Sequence, residues 1–135
     1  FLCRAAGFAA TELIMSVKVL LVEDDAWLAE VEAEMLQSAG FEVRYAPHAQ
    51  SAIEQIDDRL PDVIVLDMLL TGTTAVALLN ELQSHGDSRH IPVILCSNLA
   101  SQFSIDDLRP YGVKRLVDKT TMQLDDLVTA VRSVL

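Results

Sequence analysis

A chain of 135 residues is long enough for one domain with a real hydrophobic core and too short for two. Apolar residues make up 51% of it and charged ones 22%, which excludes a disordered tail as its main content. The formal net charge of −10, from 20 acidic and 10 basic side chains, disfavours a nucleic-acid-binding surface, because affinity for phosphate backbones comes from Lys and Arg.

Residues 1–14 (FLCRAAGFAATELI) are mildly apolar, but Glu12 interrupts them and the run is too short to span a bilayer. They lack the basic start, unbroken apolar centre and cleavage site of a signal peptide. Met15 opens MSVKVLLVEDD, which reads as a native beginning, so 1–14 are expected to be an upstream tail and 15–135 the domain; a short extra helix is the other reading.

From Val17 onward strand and helix patterns alternate. VKVLLV (17–22) is an apolar run ending in acids. Residues 26–39 carry Trp27, Leu28, Val31, Met35 and Leu36 at helical spacing, with Gly40 placed to end the helix. FEVRYA (41–46) alternates like a strand. Residues 49–60 read as a helix with Ala52, Ile53 and Ile56 inward, stopped before Pro61. VIVLD (63–67) is a strand apolar on both faces, 75–84 a helix, PVILCS (92–97) a strand, 101–109 a short helix, RLVD (115–118) the last strand and 123–135 a closing amphipathic helix.

Five strands and five helices in strict alternation predict an α/β fold, a parallel sheet covered on both faces, with right-handed crossovers. In doubly wound sheets ligands sit beyond the carboxyl ends of the strands. The residues there are Glu23, Asp24 and Asp25, then Asp67, Ser97 and Lys119. Carboxylates pressed together repel unless a cation lies among them, and Mg²⁺ suits one or two carboxylates plus waters. Lys119 offers a point charge to a phosphoryl oxygen, and Ser97 offers a hydroxyl. Bland readings stand beside these: EDD as an acidic surface loop, Lys119 as a solvated lysine, and Ser97, Asn98 or Ser101 as a helix cap. A carboxylate nucleophile with a metal, a cation and a hydroxyl around it describes acyl-phosphate formation on Asp67. Cys3 and Cys96 have no partner at ligand spacing, so neither a disulfide nor a zinc site is indicated, and the usage suits a reducing compartment.

These motifs resemble the receiver domain of two-component response regulators, over about Val17 to Leu135. LLVEDD is similar to the family's first-strand acidic motif, VIVLDMLLTG to the segment around its phosphorylated aspartate, VILCSN to its switch Ser/Thr segment and LVDKT to its lysine segment. The intervals are family-like: 43 residues from Asp24 to Asp67, 30 from Asp67 to Ser97 and 52 from Asp67 to Lys119. The resemblance implies a single (βα)5 flavodoxin-like domain with strand order 2-1-3-4-5. It implies Mg²⁺ held by Glu23, Asp24, Asp67 and the backbone carbonyl of Leu69. It implies further that Asp67 accepts the phosphoryl group, assisted by Lys119 and Ser97. By the same resemblance the expected donor is a histidine on a sensor kinase or phosphotransfer protein, and the expected output is a protein target on the face of the fourth helix, fifth strand and fifth helix. Neither nucleic acid nor membrane is an expected partner of this chain, which is expected to be either a stand-alone receiver or a fragment of a longer regulator, and a cytoplasmic setting is expected.

Departures from the family pattern are equally specific. Thr71 replaces the usual Pro, and Asn98 stands where a small residue is usual. Leu116 replaces the aromatic switch residue. Thr120 replaces a cis-proline, and a non-proline cis bond costs roughly 2.5–4 kcal/mol, so a trans Lys119–Thr120 peptide is expected. Leu69 and Leu99 flank the expected phosphoryl position and cannot hydrogen-bond an attacking water, which predicts slow self-dephosphorylation rather than turnover. The departures motivate a second reading, a receiver-like interaction module that works without phosphorylation. A metal-dependent phosphohydrolase is disfavoured because Met68, Leu69 and Leu70, not an acid, follow Asp67. A nucleotide or flavin binder is disfavoured because no glycine-rich loop follows the first strand.

Overall fold

The apolar runs and amphipathic segments become, in chain order, β1 (Lys18–Val22), α1 (Ala26–Ser38), β2 (Glu42–Ala46), α2 (Ala49–Asp58), β3 (Val63–Asp67), α3 (Ala75–Gln83), β4 (Val93–Ser97), α4 (Ile105–Leu108), β5 (Val113–Asp118) and α5 (Asp126–Ser133). This is a computed structural model, and it describes residues 16–67, 75–97, 104–119, 121, 123 and 125–135. The expected tail at 1–14, the carbonyl of Leu69, and the departures at Thr71, Asn98, Leu99 and Thr120 lie outside those residues, as does the Lys119–Thr120 peptide.

All strand pairs are parallel, in the order β2-β1-β3-β4-β5. Side chains along a strand alternate between faces, and the apolar runs therefore feed two cores. Leu20, Val22, Ile64, Leu66 and Leu95 join Ala52, Ile56, Leu78, Leu79 and Leu82 on one face of the sheet. Val19, Leu21, Val63, Val65, Ile94 and Cys96 join Ala29, Leu36, Leu127, Val128 and Val131 on the other. The three central strands β1, β3 and β4 are buried almost throughout, which is why their sequences read as continuous apolar runs.

Local chemistry sets the ends of the elements. Asp25 caps α1, accepting from the Leu28 N–H at 3.0 Å. The same helix closes with Gly40 at φ +98°: the N–H groups of Gly40 and Phe41 donate to the carbonyls of Gln37 and Leu36 at 3.0 and 3.2 Å, a Schellman close that only glycine enters without strain. His48 and Ser51 form a reciprocal box at the start of α2.

Three expectations shift. The predicted 101–109 helix is, in its described part, one turn of α4 capped by Ser104 and continued as a 3-10 turn over Arg109–Tyr111. Strand β5 begins at Val113, two residues before the predicted 115: Val93 pairs with Val113 and Ile94 with Arg115, so Lys114 is an extra, bulged residue. The bulge breaks the period-two pattern and hides the start of the strand from a sequence reading. Trp27 also departs from its place in the helical series: it is 72% exposed, while Ala29, Glu32 and Leu36 form the buried stripe of α1.

Candidate functional site

The carboxyl edge of the sheet is assembled by ladder hydrogen bonds that run past the strands. The N–H of Glu23 donates to the Ala46 carbonyl at 3.1 Å, and that of Lys119 to the Ser97 carbonyl at 3.0 Å. The first fixes the residue after β1, and the second ties the lysine backbone to the end of β4. Asp67 and Ser97 are the last residues of β3 and β4, and Asp67 is registered beside Cys96. Alternation then orients them: Glu23 and Asp67 continue the rows of Leu21 and Val65, on the face covered by α1 and α5.

Lys119 spans the carboxylates. Its Nζ lies 2.8 Å from Glu23 Oε1 and 3.2 Å from Asp67 Oδ1, with the lysine side chain 11% exposed and those of Glu23 and Asp67 2% and 7%. One carboxylate oxygen from each of Glu23, Asp24 and Asp67 lies within 4.8 Å of the others. Of the predicted site residues within the described chain, Glu23, Asp24, Asp67 and Lys119 are thus brought together, and Ser97, fully buried, is held at the same edge through the Lys119 N–H. The acidic triplet divides: Glu23 is buried, Asp24 half-buried, and Asp25 is exposed and capping α1. An ordinary surface loop would leave all three in solvent. Nor does Ser97 cap α4, since Ser104 accepts from the Asp106 N–H at 3.2 Å there.

Three carboxylates around one ammonium leave a deficit of positive charge. Burial strips water from Glu23 and the neighbouring Asp67 repels its charge, so its carboxyl is pushed up to about 8 although Lys119 partly offsets both effects. Burial alone would lower the Lys119 ammonium, but its bond to Glu23 and the charge of Asp67 outweigh that and raise it, so it stays protonated. An all-oxygen, partly buried donor set with net negative charge suits a hard divalent cation such as Mg²⁺, which would return Glu23 to its charged form. Burial pushes the Cys96 thiol up, which removes it as a nucleophile beside Asp67.

The sequence reading missed Glu32. It occupies the apolar stripe of α1, 1% exposed, and neither carboxylate oxygen has a hydrogen-bond partner. A glutamate three residues after Ala29 and four before Leu36 was the signal available.

A five-stranded 2-1-3-4-5 sheet with an acid–lysine cluster at its carboxyl edge defines a receiver-type signalling domain. Residues 19–132 match the family described as the response regulator receiver domain, and the chain belongs to that family. Among curated proteins it is 32% identical over 81 residues to the phosphate regulon transcriptional regulatory protein PhoB of Escherichia coli (strain K12), covering 60% of this chain and 35% of that protein. It is 40% identical over 90 residues to protein-glutamate methylesterase/protein-glutamine glutaminase 1 of Chromobacterium violaceum, covering 65% of this chain and 24% of that protein. The chain therefore spans about a third or less of either relative. Among solved structures, the receiver domain of NtrX from Brucella abortus superposes with TM-score 0.75 at 28% identity, over 87% of this chain and 97% of that one. The CheY-like receiver domain from Methylobacillus flagellatus superposes with TM-score 0.77 at 20% identity, over 89% and 99%, a likeness of fold. No helix among the described residues is long and apolar enough to cross a membrane.

Proposed function

We propose that this receiver accepts a phosphoryl group on Asp67 from a phosphohistidine donor, with Mg²⁺ held by Glu23, Asp24 and Asp67. The observation that carries the reading is the Lys119 ammonium seated 3.2 Å from Asp67 Oδ1 and 2.8 Å from Glu23 Oε1 in a largely buried cluster. A carboxylate oxygen of Asp67 attacks phosphorus, the P–N bond of the donor breaks, and its electron pair stays on the imidazole nitrogen, leaving an acyl phosphate. The metal, when bound, neutralises charge on the transferring phosphoryl oxygens. Lys119, already at the aspartate, binds a phosphoryl oxygen as a point charge. Ser97 moves to donate its hydroxyl to another, and the Lys119 N–H bonded to the Ser97 carbonyl couples that movement to β5. Burial of Glu23 and Asp67 excludes water, strengthening each of these interactions.

The output we assign to the face of α4, β5 and α5, engaging a protein partner. Leu116 is half-buried against the α2–α3–α4 core, so a change at Ser97 reaches that face through strand and helix shifts rather than through a rotating ring. The donor is a sensor histidine kinase or a histidine phosphotransfer protein, and a cytoplasmic setting fits the free thiol of Cys96.

Incubation with a small phosphodonor and Mg²⁺, followed by intact-mass measurement, tests the reading. A gain of one phosphate that is absent in Asp67→Asn is expected. No gain with any phosphodonor or histidine phosphotransfer protein would overturn it in favour of a phosphorylation-independent interaction module.

A further inference from the structure

Glu32 has no role in the reaction just described, yet its position is costly. It sits on the inward stripe of α1 between Ala29 and Leu36, 1% exposed, with Oε1 and Oε2 both unpartnered. A buried carboxyl without partners is disfavoured in its charged form, and an apolar residue would serve the packing better. The layer it enters is otherwise apolar: Leu21 from β1, Val65 from β3, Ile94 and Cys96 from β4, and Leu127, Val128 and Val131 from α5. The charged groups acting on it come from one direction, the carboxyl edge of the sheet: Lys119 most strongly, then Asp67 and Asp25. Cys96, its neighbour on β4, is a neutral thiol, because burial raises it and the charge of Glu32 raises it further. Glu23 and Asp67 face the same α1–α5 side of the sheet, so Glu32 lies behind the acid–lysine cluster, inside the core.

We propose that Glu32 is a positioning residue that balances the charge of the site from within, giving up its proton when a divalent cation binds among Glu23, Asp24 and Asp67. The proposal rests on the metal and phosphoryl reading above. Without the cation, burial pushes the carboxyl up to about 7, with Asp67 and Asp25 adding to the shift and Lys119 offsetting part of it, so it is largely protonated in mildly acidic solution. A dication at the strand edge draws on Glu23 and Asp67, the two partners of Lys119, and adds positive charge beside the ammonium. The Glu32 carboxylate then supplies a negative charge behind Lys119 that offsets the repulsion of the dication, so that the ammonium is not driven from the cluster where a phosphoryl oxygen is to be met. Glu32 touches neither donor nor phosphoryl group, and acts only through Lys119.

Calorimetric titration of Mg²⁺ into the full chain at about pH 6.5, in buffers of different ionisation enthalpy, counts the protons released per metal. Wild type is expected to release about half a proton more than Glu32→Gln or Glu32→Leu. Release from Glu23 is common to all three proteins and cancels in the difference. Mg²⁺ affinity of either variant is expected to equal that of wild type at about pH 5.5 and to fall about five- to tenfold below it at about pH 8. A merely structural role would leave proton count and pH profile unchanged. The Leu variant, which suits the apolar layer, keeps the test available should Gln disturb the fold. If wild type binds Mg²⁺ and gains phosphate while both variants match its proton count and profile, the inference falls and the function stands. If wild type does not bind Mg²⁺, both fall.

Discussion

Ion pairs in this protein come in two kinds, and their settings separate structure from chemistry. Around β2 and α2, Arg59 pairs with Glu42 and Arg44 with Asp58, with side chains between 30% and 75% exposed. At the carboxyl edge, Lys119 pairs with Glu23 and Asp67, all 11% exposed or less. The exposed pairs lie in high dielectric and contribute about 0–1 kcal/mol each. The buried cluster loses solvation that its attraction only partly repays, so it is poor as a stabilising device. Its excess of carboxylates fits the cation and phosphoryl group proposed for it. The contrast teaches that desolvation, not the number of paired charges, sets the carboxyl edge of the sheet apart.

The sharpest way to break this comparison is at the lysine. Lys119→Met is expected to lower phosphoryl acceptance at least about tenfold, because charge at the transferring group is worth one or more factors of ten. It should also cost about 2–4 kcal/mol of stability at about pH 8, by leaving buried carboxylates without their cation. The loss should shrink toward about pH 6, where a proton on Glu23 replaces the ammonium. Urea unfolding at the two pH values, with phosphorylation followed by mass, checks both parts. Equal loss at both pH values would separate the lysine from Glu23.

Next in size is the effect of filling the silent position. Glu32→Leu is expected to raise stability by about 1–3 kcal/mol at about pH 8, since it removes a buried charge without partners. It should raise it less at about pH 5.5, where the wild-type carboxyl is neutral. Denaturant midpoints read this directly.

The pH dependence of the metal-free protein follows. Glu23 and Glu32 titrate near 8 and 7 when folded, against 4.5 ordinarily, so the folded state binds more protons than the unfolded state between those limits. Stability contributed by these two groups is therefore full below about 4.5 and is lost as pH rises through about 7 and 8. Lys119, also raised, contributes stability that is lost only as pH rises through its folded value above 10.5. Chemical unfolding between pH 5 and 9 should show the decline, and Mg²⁺ should flatten it. Smallest of all, Arg59→Ala should change stability by less than about 1 kcal/mol, and less still at high salt. A larger effect would mean that the exposed pairs are not the weak members of the comparison.

Much of this was legible because strand ends are easy to find in a parallel sheet. Apolar runs on β1, β3 and β4 end in Glu23, Asp67 and Ser97, and burial on both faces is what makes those runs continuous. Edge strand β5 was harder, because Lys114 bulges and two successive exposed residues follow Val113. In α1 the largest apolar residue, Trp27, proved mostly solvent-exposed, whereas a glutamate proved buried. Helical spacing ranks positions by period, and when polar and apolar residues trade places the period points the wrong way.

The order of elements, the two-sided burial of the central strands and the candidates Glu23, Asp24, Asp67, Ser97 and Lys119 were determined by the sequence itself, since periodicity and turn chemistry act over a few neighbouring residues. Only the tertiary structure decided that Asp25 is a cap while Glu23 is buried, that the Lys119 ammonium bridges two carboxylates, and that Glu32 stands unpartnered behind them. Desolvation and charge proximity depend on what other stretches of chain bring within a few ångströms, and no local pattern carries that information.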